Sequence, residues 1–522
     1  MKGILADMSL PLFLVAAYFA LTVLIAVRSS RQQATSNSFL NATGTLPTWV
    51  ATLSFLAANC GALEIVGLSG VAARYGVQVF HFYWIGAIPA LVFVSFFLLP
   101  VYERLGVRSV PEFLERKFGR GVRLLNACLL LVSTCLTAGV SLYALAEVLH
   151  VAGGWSFTAC LLATSMVVMV NVLIGGFRGT MRTEVLHFFF MVAGLAPMLF
   201  LSQHMSPAME RWGTQLHAWR MTPVVSNDAP VDLLGVVVGL GLVIGFSYWC
   251  TDFLMMQRAL AARTPESARR VPLYAGFGKL MFGFLVVLPV LRAGHFGTAG
   301  QGALDQTAPL LMRSLYGPKL VGLGMMAIIA SLMTGVVANV SAFASLWTQE
   351  IYRTALRPGK VEQHYIRIGR WASVVCIVLS LGGALATLWF ESLSQFLLAI
   401  FSLSLVPFFA VILASVTSRR CAGRNVMAAI LAGVGVGCAG QVAYGLHWLH
   451  AGSQLNANFR IAIAVFITTF GACLATSRAP REDERREDDV AAIAGKASIS
   501  PSLYFVAALL LSCCLLCNVI WF

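Results

Sequence analysis

Charge is what this chain of 522 residues has least of. Asp, Glu, Lys and Arg together make up 11% of it, where a water-soluble domain carries about 25%. So little charge cannot cover the water-facing surface of so long a chain, which excludes a soluble enzyme or binding module. The phosphate-cradling pattern G-x-x-x-x-G-K-[ST] is missing, and with it the mark of an ATP-driven pump. H-E-x-x-H is missing too, and His81, His150, His187 and His295 are scattered, so no convergent set for metal or nucleophilic catalysis stands out. The twelve cysteines lie mostly inside apolar segments (Cys128, Cys135, Cys160, Cys376, Cys513, Cys514 and Cys517), without zinc-like or disulfide spacing. They read as small buried hydrophobes. The alternation of short strands that a membrane β-barrel needs is also lacking.

What is present is apolar length. Hydrophobic residues make up 58% of the chain, and they fall in blocks of about 20 or more, the length a helix needs to cross a hydrocarbon core. Bundled helices satisfy every backbone polar group internally, so an all-α integral membrane protein is the predicted class. The run Leu10–Val27 follows Lys2 and precedes Arg28 and Arg31 without a small-residue cleavage site, so it reads as a retained first span. About 14 transmembrane helices are expected, near 9–28, 47–73, 79–102, 122–149, 154–175, 183–203, 232–258, 271–292, 318–351, 368–390, 393–417, 425–448, 459–477 and 502–522. The ninth exceeds what a bilayer requires and should tilt, bend or extend into water.

Alternating sides across these spans separates the basic residues. One side collects Arg28 and Arg31, the cluster from Arg104 to Arg123, Arg178 and Arg182, Arg258 to Arg270, Arg353 to Arg370, Arg419 to Arg424, and Arg478 to Lys496. The other holds Lys2, Arg74, Arg211, Arg220, Arg292, Arg313, Lys319 and Arg460. This is the positive-inside signature, and it places both termini outside. It also accounts for the net charge of +14 without a nucleic-acid partner. The lipid bilayer, of bacterial inner-membrane type, is the expected surrounding. Asp252 is expected to pair near Gln257 and Arg258, and Glu147 and Glu350 to lie at the membrane interfaces.

Two spans are interrupted. The second carries Asn59, Gly61, Glu64, Gly67, Ser69 and Gly70 in its middle, and the seventh carries Gly239, Gly241 and Gly245 before Ser247-Tyr-Trp-Cys-Thr-Asp252. Irregular backbone survives at membrane depth only inside protein or beside a water-filled cavity. Broken helices at matching places in two halves point to a transporter's midplane binding site. Five spans run from each break, so the predicted core is two inverted five-helix repeats with broken first and sixth core helices. The organisation expected is an extra N-terminal helix in 1–40, a first repeat in 41–203, an external loop in 204–231 and a second repeat in 232–417. C-terminal helices follow in 418–522 with a charged internal linker at 478–499, whose dense part runs from Arg481 to Asp489 and serves solvation. A second external loop, 293–317, contains an amphipathic stretch from Ala308 to Leu315.

Several segments resemble the sodium–solute symporter family, in family order. Leu56-Ala-Ala-Asn-Cys-Gly leads into Ile65-Val-Gly-Leu-Ser-Gly70; then come Leu99-Pro-Val-Tyr-Glu-Arg and Ser109-Val-Pro-Glu-Phe-Leu-Glu-Arg-Lys-Phe-Gly119. Gly175-Gly176 with Thr183-Glu184, Tyr248-Trp-Cys-Thr-Asp252 with Gln257-Arg258, and Ser331-Leu-Met-Thr-Gly335 before Ala344-Ser-Leu-Trp-Thr-Gln-Glu-Ile-Tyr352 complete the set. Of these, Tyr248-Trp-Cys-Thr-Asp252 with Gln257-Arg258 resembles the sugar-transporting branch particularly well.

The resemblance implies alternating access and sodium as the coupling ion, with no cofactor and no metal besides Na+. It places the sodium ligands at the carbonyls of Ala57, Cys60 and Ser331 and the hydroxyl of Thr334. Gly335 stands where the family usually carries a second hydroxyl. Glu184 stands for the family's aspartate and is the implied coupling residue. Around the solute the resemblance places Asn59, Tyr248, Trp249 and Lys279, with Glu64 where sugar transporters carry His or Gln, and Tyr83 where they carry an acidic residue. Leu398 replaces a glutamine on the tenth core helix. Lys279 sits within Phe277-Gly-Lys-Leu-Met-Phe, where an unpaired charge costs about 3 kcal/mol on insertion scales, so it needs a partner or a cavity. Glu64 reads a cationic or amino-bearing solute, or pairs with Lys279 and tunes proton coupling, or serves a structural role within the bundle. The expected activity is cation-coupled symport of a small polar organic solute, with no enzymatic step. H+-coupled symport and a membrane solute sensor of symporter-like fold are the alternatives.

Overall fold

A computed structural model describes residues 17–29, 39–204, 223–227, 231–293, 306–387, 392–417, 424–476 and 500–520. Most of the 204–231 loop and the charged linker 478–499 lie outside the described residues. Among the described residues the structure is helical, with a single isolated bridge between Leu46 and Ala262. Nine of these helices are long and apolar enough to cross a membrane. Three more candidates are pairs bent at a short break: Thr48–Asn59 with Leu63–Tyr75 by 55°, Gly235–Thr251 with Phe253–Leu260 by 52°, and Leu393–Ser404 with Val406–Thr417 by 41°. Ala17–Ser29 adds a shorter apolar helix.

The segment Phe157–Leu201 covers 45 residues. Drawn straight it would span about 68 Å, more than twice a hydrocarbon core of about 30 Å. It is interrupted at Gly176, whose φ of 53° and ψ of −170° suit glycine and strain a side-chain-bearing residue. The ninth expected span, by contrast, is continuous: Pro318–Ser345 runs into wide π-type turns through Leu346–Leu356. The amphipathic stretch of the preceding loop forms a short helix, Thr307–Leu315.

Small residues set how closely these helices approach. A Cβ on Gly139 would lie 2.6 Å from the Ser380 carbonyl oxygen, and one on Gly194 would lie 2.5 Å from the Leu323 carbonyl oxygen. Backbones pack that closely only where side chains are absent, which is the usual membrane solution when burial offers no hydrophobic drive.

Glu350 is buried against protein, with 5% of its surface exposed, and it accepts from Arg123 Nη2 at 2.6 Å. Its helix continues for six residues beyond it, so the carboxylate needs a buried partner, and Arg123 also pairs with Glu115. Asp252 does not pair with the Arg258 side chain. It occupies the break before Phe253–Leu260 and accepts from the Met255 N–H at 3.1 Å, because a helix start leaves N–H groups that a carboxylate satisfies.

Candidate functional site

The site begins where the first broken helix stops. Thr48–Asn59 ends at Cys60, whose φ of −78° and ψ of 49° leave the helical region. The Gly61 N–H donates to the Asn59 carbonyl at 2.9 Å, and the Glu64 N–H donates to the Gly61 carbonyl at 3.1 Å. In a regular helix these two donors would go to Ala57 and Cys60. The break therefore releases two carbonyl oxygens, those of Ala57 and Cys60, at a depth where unpaired carbonyls are costly.

Pro318–Ser345 faces this gap. Ser331 donates through its hydroxyl to the Cys60 carbonyl at 2.6 Å. Thr334 lies three residues on, on the same helix face. Its hydroxyl donates to the Ala330 carbonyl at 2.7 Å and meets His187 Nδ1 at 2.6 Å. Both residues are fully buried. Gly335 approaches Gly61, where a Cβ would stand 3.4 Å from the Gly335 Cα, and its carbonyl accepts from Asn339 Nδ2 at 2.8 Å. Cys60 thus meets Ser331 directly and Gly335 approaches the break at Gly61, with Thr334 on the Ser331 face and Ala57 in the break itself.

Asn59 belongs to the same break but points to the other side, into a cavity of about 140 Å³, close to the 150 Å³ or so that holds a benzene ring. Asn59, Glu64, Tyr83, Tyr248, Trp249 and Lys279 all line it, with Leu398, Phe401, Leu455 and Phe459 among the apolar walls. Lys279 Nζ sits 2.5 Å from Glu64 Oε1, donates to Asn59 Oδ1 and lies 4.1 Å from the centre of the Tyr83 ring. An ammonium over an aromatic face is attracted by the ring quadrupole, more strongly when desolvated. Asn59 Nδ2 donates in turn to Tyr248 Oη at 3.1 Å. Trp249 donates to the Gly86 carbonyl at 3.2 Å and stacks on Phe55 at 5.6 Å. The cavity therefore has a polar cluster of linked groups within largely apolar walls. In that cluster Glu64 Oε2 and Tyr83 Oη have no hydrogen-bond partner among the described residues.

Glu184 lies apart from both places, fully buried on Phe157–Leu201. It accepts from Arg258 Nε at 3.1 Å, again from Arg258 Nη2, and from the Ser54 hydroxyl. One carboxylate thereby ties together the two broken helices, since Ser54 belongs to the first and Arg258 to the second. Sequence reading overlooked Ser54, His187 and the partnership of Arg258. His187 follows Glu184 by three positions on one helix face, which was the only available signal.

Comparisons with known proteins agree with this architecture. A family model described as the sodium:solute symporter family matches residues 39–433. A sodium/glucose cotransporter of Vibrio parahaemolyticus is 26% identical over 70% of this chain and 73% of its own length. A sodium/myo-inositol cotransporter of Canis lupus familiaris is also 26% identical, over 70% of this chain but 57% of its own length. The chain spans less than two thirds of the length of that animal relative. Among solved structures, a substrate-bound, outward-open Na+-coupled sialic acid symporter shares the fold at a TM-score of 0.74. It covers 90% of this chain and 98% of that one at 15% identity.

Proposed function

The chain belongs to the sodium:solute symporter family, and from that premise we propose that it is a multi-pass secondary transporter moving a small polar organic solute together with Na+. The carrying observation is that one helix break serves two sites. The break frees the Ala57 and Cys60 carbonyls, the latter accepting from Ser331, while Asn59 between them reaches the Lys279 cluster in the cavity. An ion bound on one side of such a break fixes the backbone that shapes the other. Binding of ion and solute is then linked, as symport requires, through their shared preference for one conformation.

In this reading Ala57, Cys60, Ser331 and Thr334 hold the ion, and Gly335 marks where a hydroxyl is withheld. Asn59, Glu64, Tyr83, Tyr248, Trp249 and Lys279 receive the solute. A solute hydroxyl both donates and accepts, and would suit Glu64 Oε2 and Tyr83 Oη together. Glu184, by holding Ser54 and Arg258, couples the two broken helices. The proposed topology has 14 spans. It counts the three bent pairs, Ala17–Ser29 and the two halves of Phe157–Leu201 separately. Two inverted five-helix repeats, 41–203 and 232–417, form its core, both termini lie outside, and a bacterial inner membrane is the proposed setting.

H+-coupled symport is the second reading, favoured by the hydroxyl that Gly335 does not provide. A panel of sugars, polyols, amino acids and amines offered to proteoliposomes under Na+, H+ or no gradient separates the two. Uptake of a panel member stimulated by Na+ supports the first reading. Stimulation by a pH gradient alone supports the second.

A further inference from the structure

The Gly335 backbone faces a hydroxyl belonging to a different helix. A Cβ built on Gly335 would lie 2.7 Å from Ser141 Oγ, 3.3 Å from Ser141 Cβ and 3.7 Å from the Gly61 Cα. Ser141 belongs to the helix Arg120–Gly153, which packs along Pro318–Ser345. Its Oγ therefore occupies the space into which a side chain at position 335 would project, next to the break. Only 3% of the residue is exposed. Membrane-helix serines and threonines usually satisfy themselves on their own backbone, as Thr134 of the same helix does on the Leu130 carbonyl. No hydrogen bond from Ser141 is found among the described residues. A hydroxyl oxygen at this place is the kind of ligand a hard cation takes.

We propose that Ser141 supplies to the ion site the hydroxyl oxygen that Gly335 lacks, carried on the helix 120–153 instead of 318–345. The inference rests on the reading of Ala57, Cys60, Ser331 and Thr334 as a cation site. It makes Gly335 and Ser141 a complementary pair: glycine at 335 leaves room for the serine, and the serine fills that room with an oxygen. It also brings a third helix to the ion, so that Na+ would clamp 120–153 to the first broken helix as well as to 318–345.

The test is Na+-dependent thermal stabilisation of the purified protein, titrated against K+ at constant ionic strength, which needs no knowledge of the solute. Wild type should be stabilised by Na+, and Thr334→Ala should lose that response. Ser141→Ala should raise the half-saturating Na+ concentration about tenfold, as loss of one oxygen to a charged group implies. Gly335→Ser alone forces its Cβ against Ser141 Oγ and should lower stability even in K+. The double variant Ser141→Ala/Gly335→Ser returns the hydroxyl from the neighbouring helix and should recover Na+ sensitivity to within about threefold of wild type. Loss of response in Thr334→Ala with an unshifted Ser141→Ala would overturn the role of Ser141 and leave the ion site standing. A shift in Ser141→Ala that the double variant does not reverse would also overturn it, marking Ser141 as a packing residue. No Na+ response in wild type would overturn the cation-site reading and this inference with it.

Discussion

Lys279 and Glu64 form an ion pair of 2.5 Å in which the two side chains are only 4% and 7% exposed. A buried pair is not strong evidence for stability in itself, because both ions lose their hydration. Breaking it by removing one partner is nevertheless expensive, at about 3–5 kcal/mol. Glu64→Gln and Lys279→Gln should each lower the melting temperature and the uptake rate. The double substitution should recover part of the stability without restoring uptake, because the solute loses its polar anchor either way. A double-mutant cycle on melting and uptake together checks this. Unchanged uptake in Glu64→Gln would remove that residue from the solute site.

The Glu184–Arg258 pair should act over a longer range. Arg258→Ala leaves a buried carboxylate uncompensated, with a cost of about 3–5 kcal/mol. Ser54→Ala removes only one hydrogen bond to that carboxylate, worth about 1.5–3 kcal/mol. Both should depress transport without direct contact with solute. The signature is a fall in maximal uptake larger than the change in half-saturating solute concentration. Equal effects on both would argue for a binding role instead.

Just ahead of the helix Gly235–Thr251, Asp232 pairs with Arg460 and offers a pH readout. Burial pushes the Asp232 carboxyl up, but the Arg460 guanidinium at 2.6 Å and the N–H groups of Gly235 and Ser226 outweigh it and hold the value below the usual 3.8. The carboxylate's contribution is therefore complete above its unfolded value and is lost as pH falls through the folded one. Melting temperatures should drop below about pH 4. Asp232→Asn should be less stable near neutrality and show a flatter acid limb. An unchanged acid limb in that variant would assign the fall to other carboxylates.

Much of the cavity's polar cluster was legible because charge in an apolar span stands out. Glu64 and Lys279 interrupt long hydrophobic runs, and each demanded a partner on energetic grounds. The break at Asn59–Gly61 was legible for a related reason, since polar and glycine residues cluster there. The junction of Glu184 with Ser54 and Arg258 was not legible. Ser54 and Glu184 are 130 positions apart and Arg258 is 74 from Glu184, so only packing brings them together. Arg258 illustrates the limit of counting basic residues at span ends. It sorted with the internal cluster, yet it is fully buried and folded onto a carboxylate.

At the proposed ion site, Thr334→Ala removes a buried hydroxyl that is also the partner of His187. Half-saturating Na+ for uptake should rise about tenfold or more, as expected for a lost oxygen to a cation. Thr334→Ser should stay near wild type because it keeps the oxygen. A serine variant as impaired as the alanine one would show that the methyl group, and not the hydroxyl, matters there.

The central claim is that one helix break joins ion binding to solute movement. Its most direct test is the flux of radiolabelled sodium into proteoliposomes, measured with and without a transported solute and without any initial gradient. Solute should accelerate sodium entry in wild type, and Thr334→Ala should abolish the acceleration. Solute entry that leaves sodium flux unchanged would contradict the account.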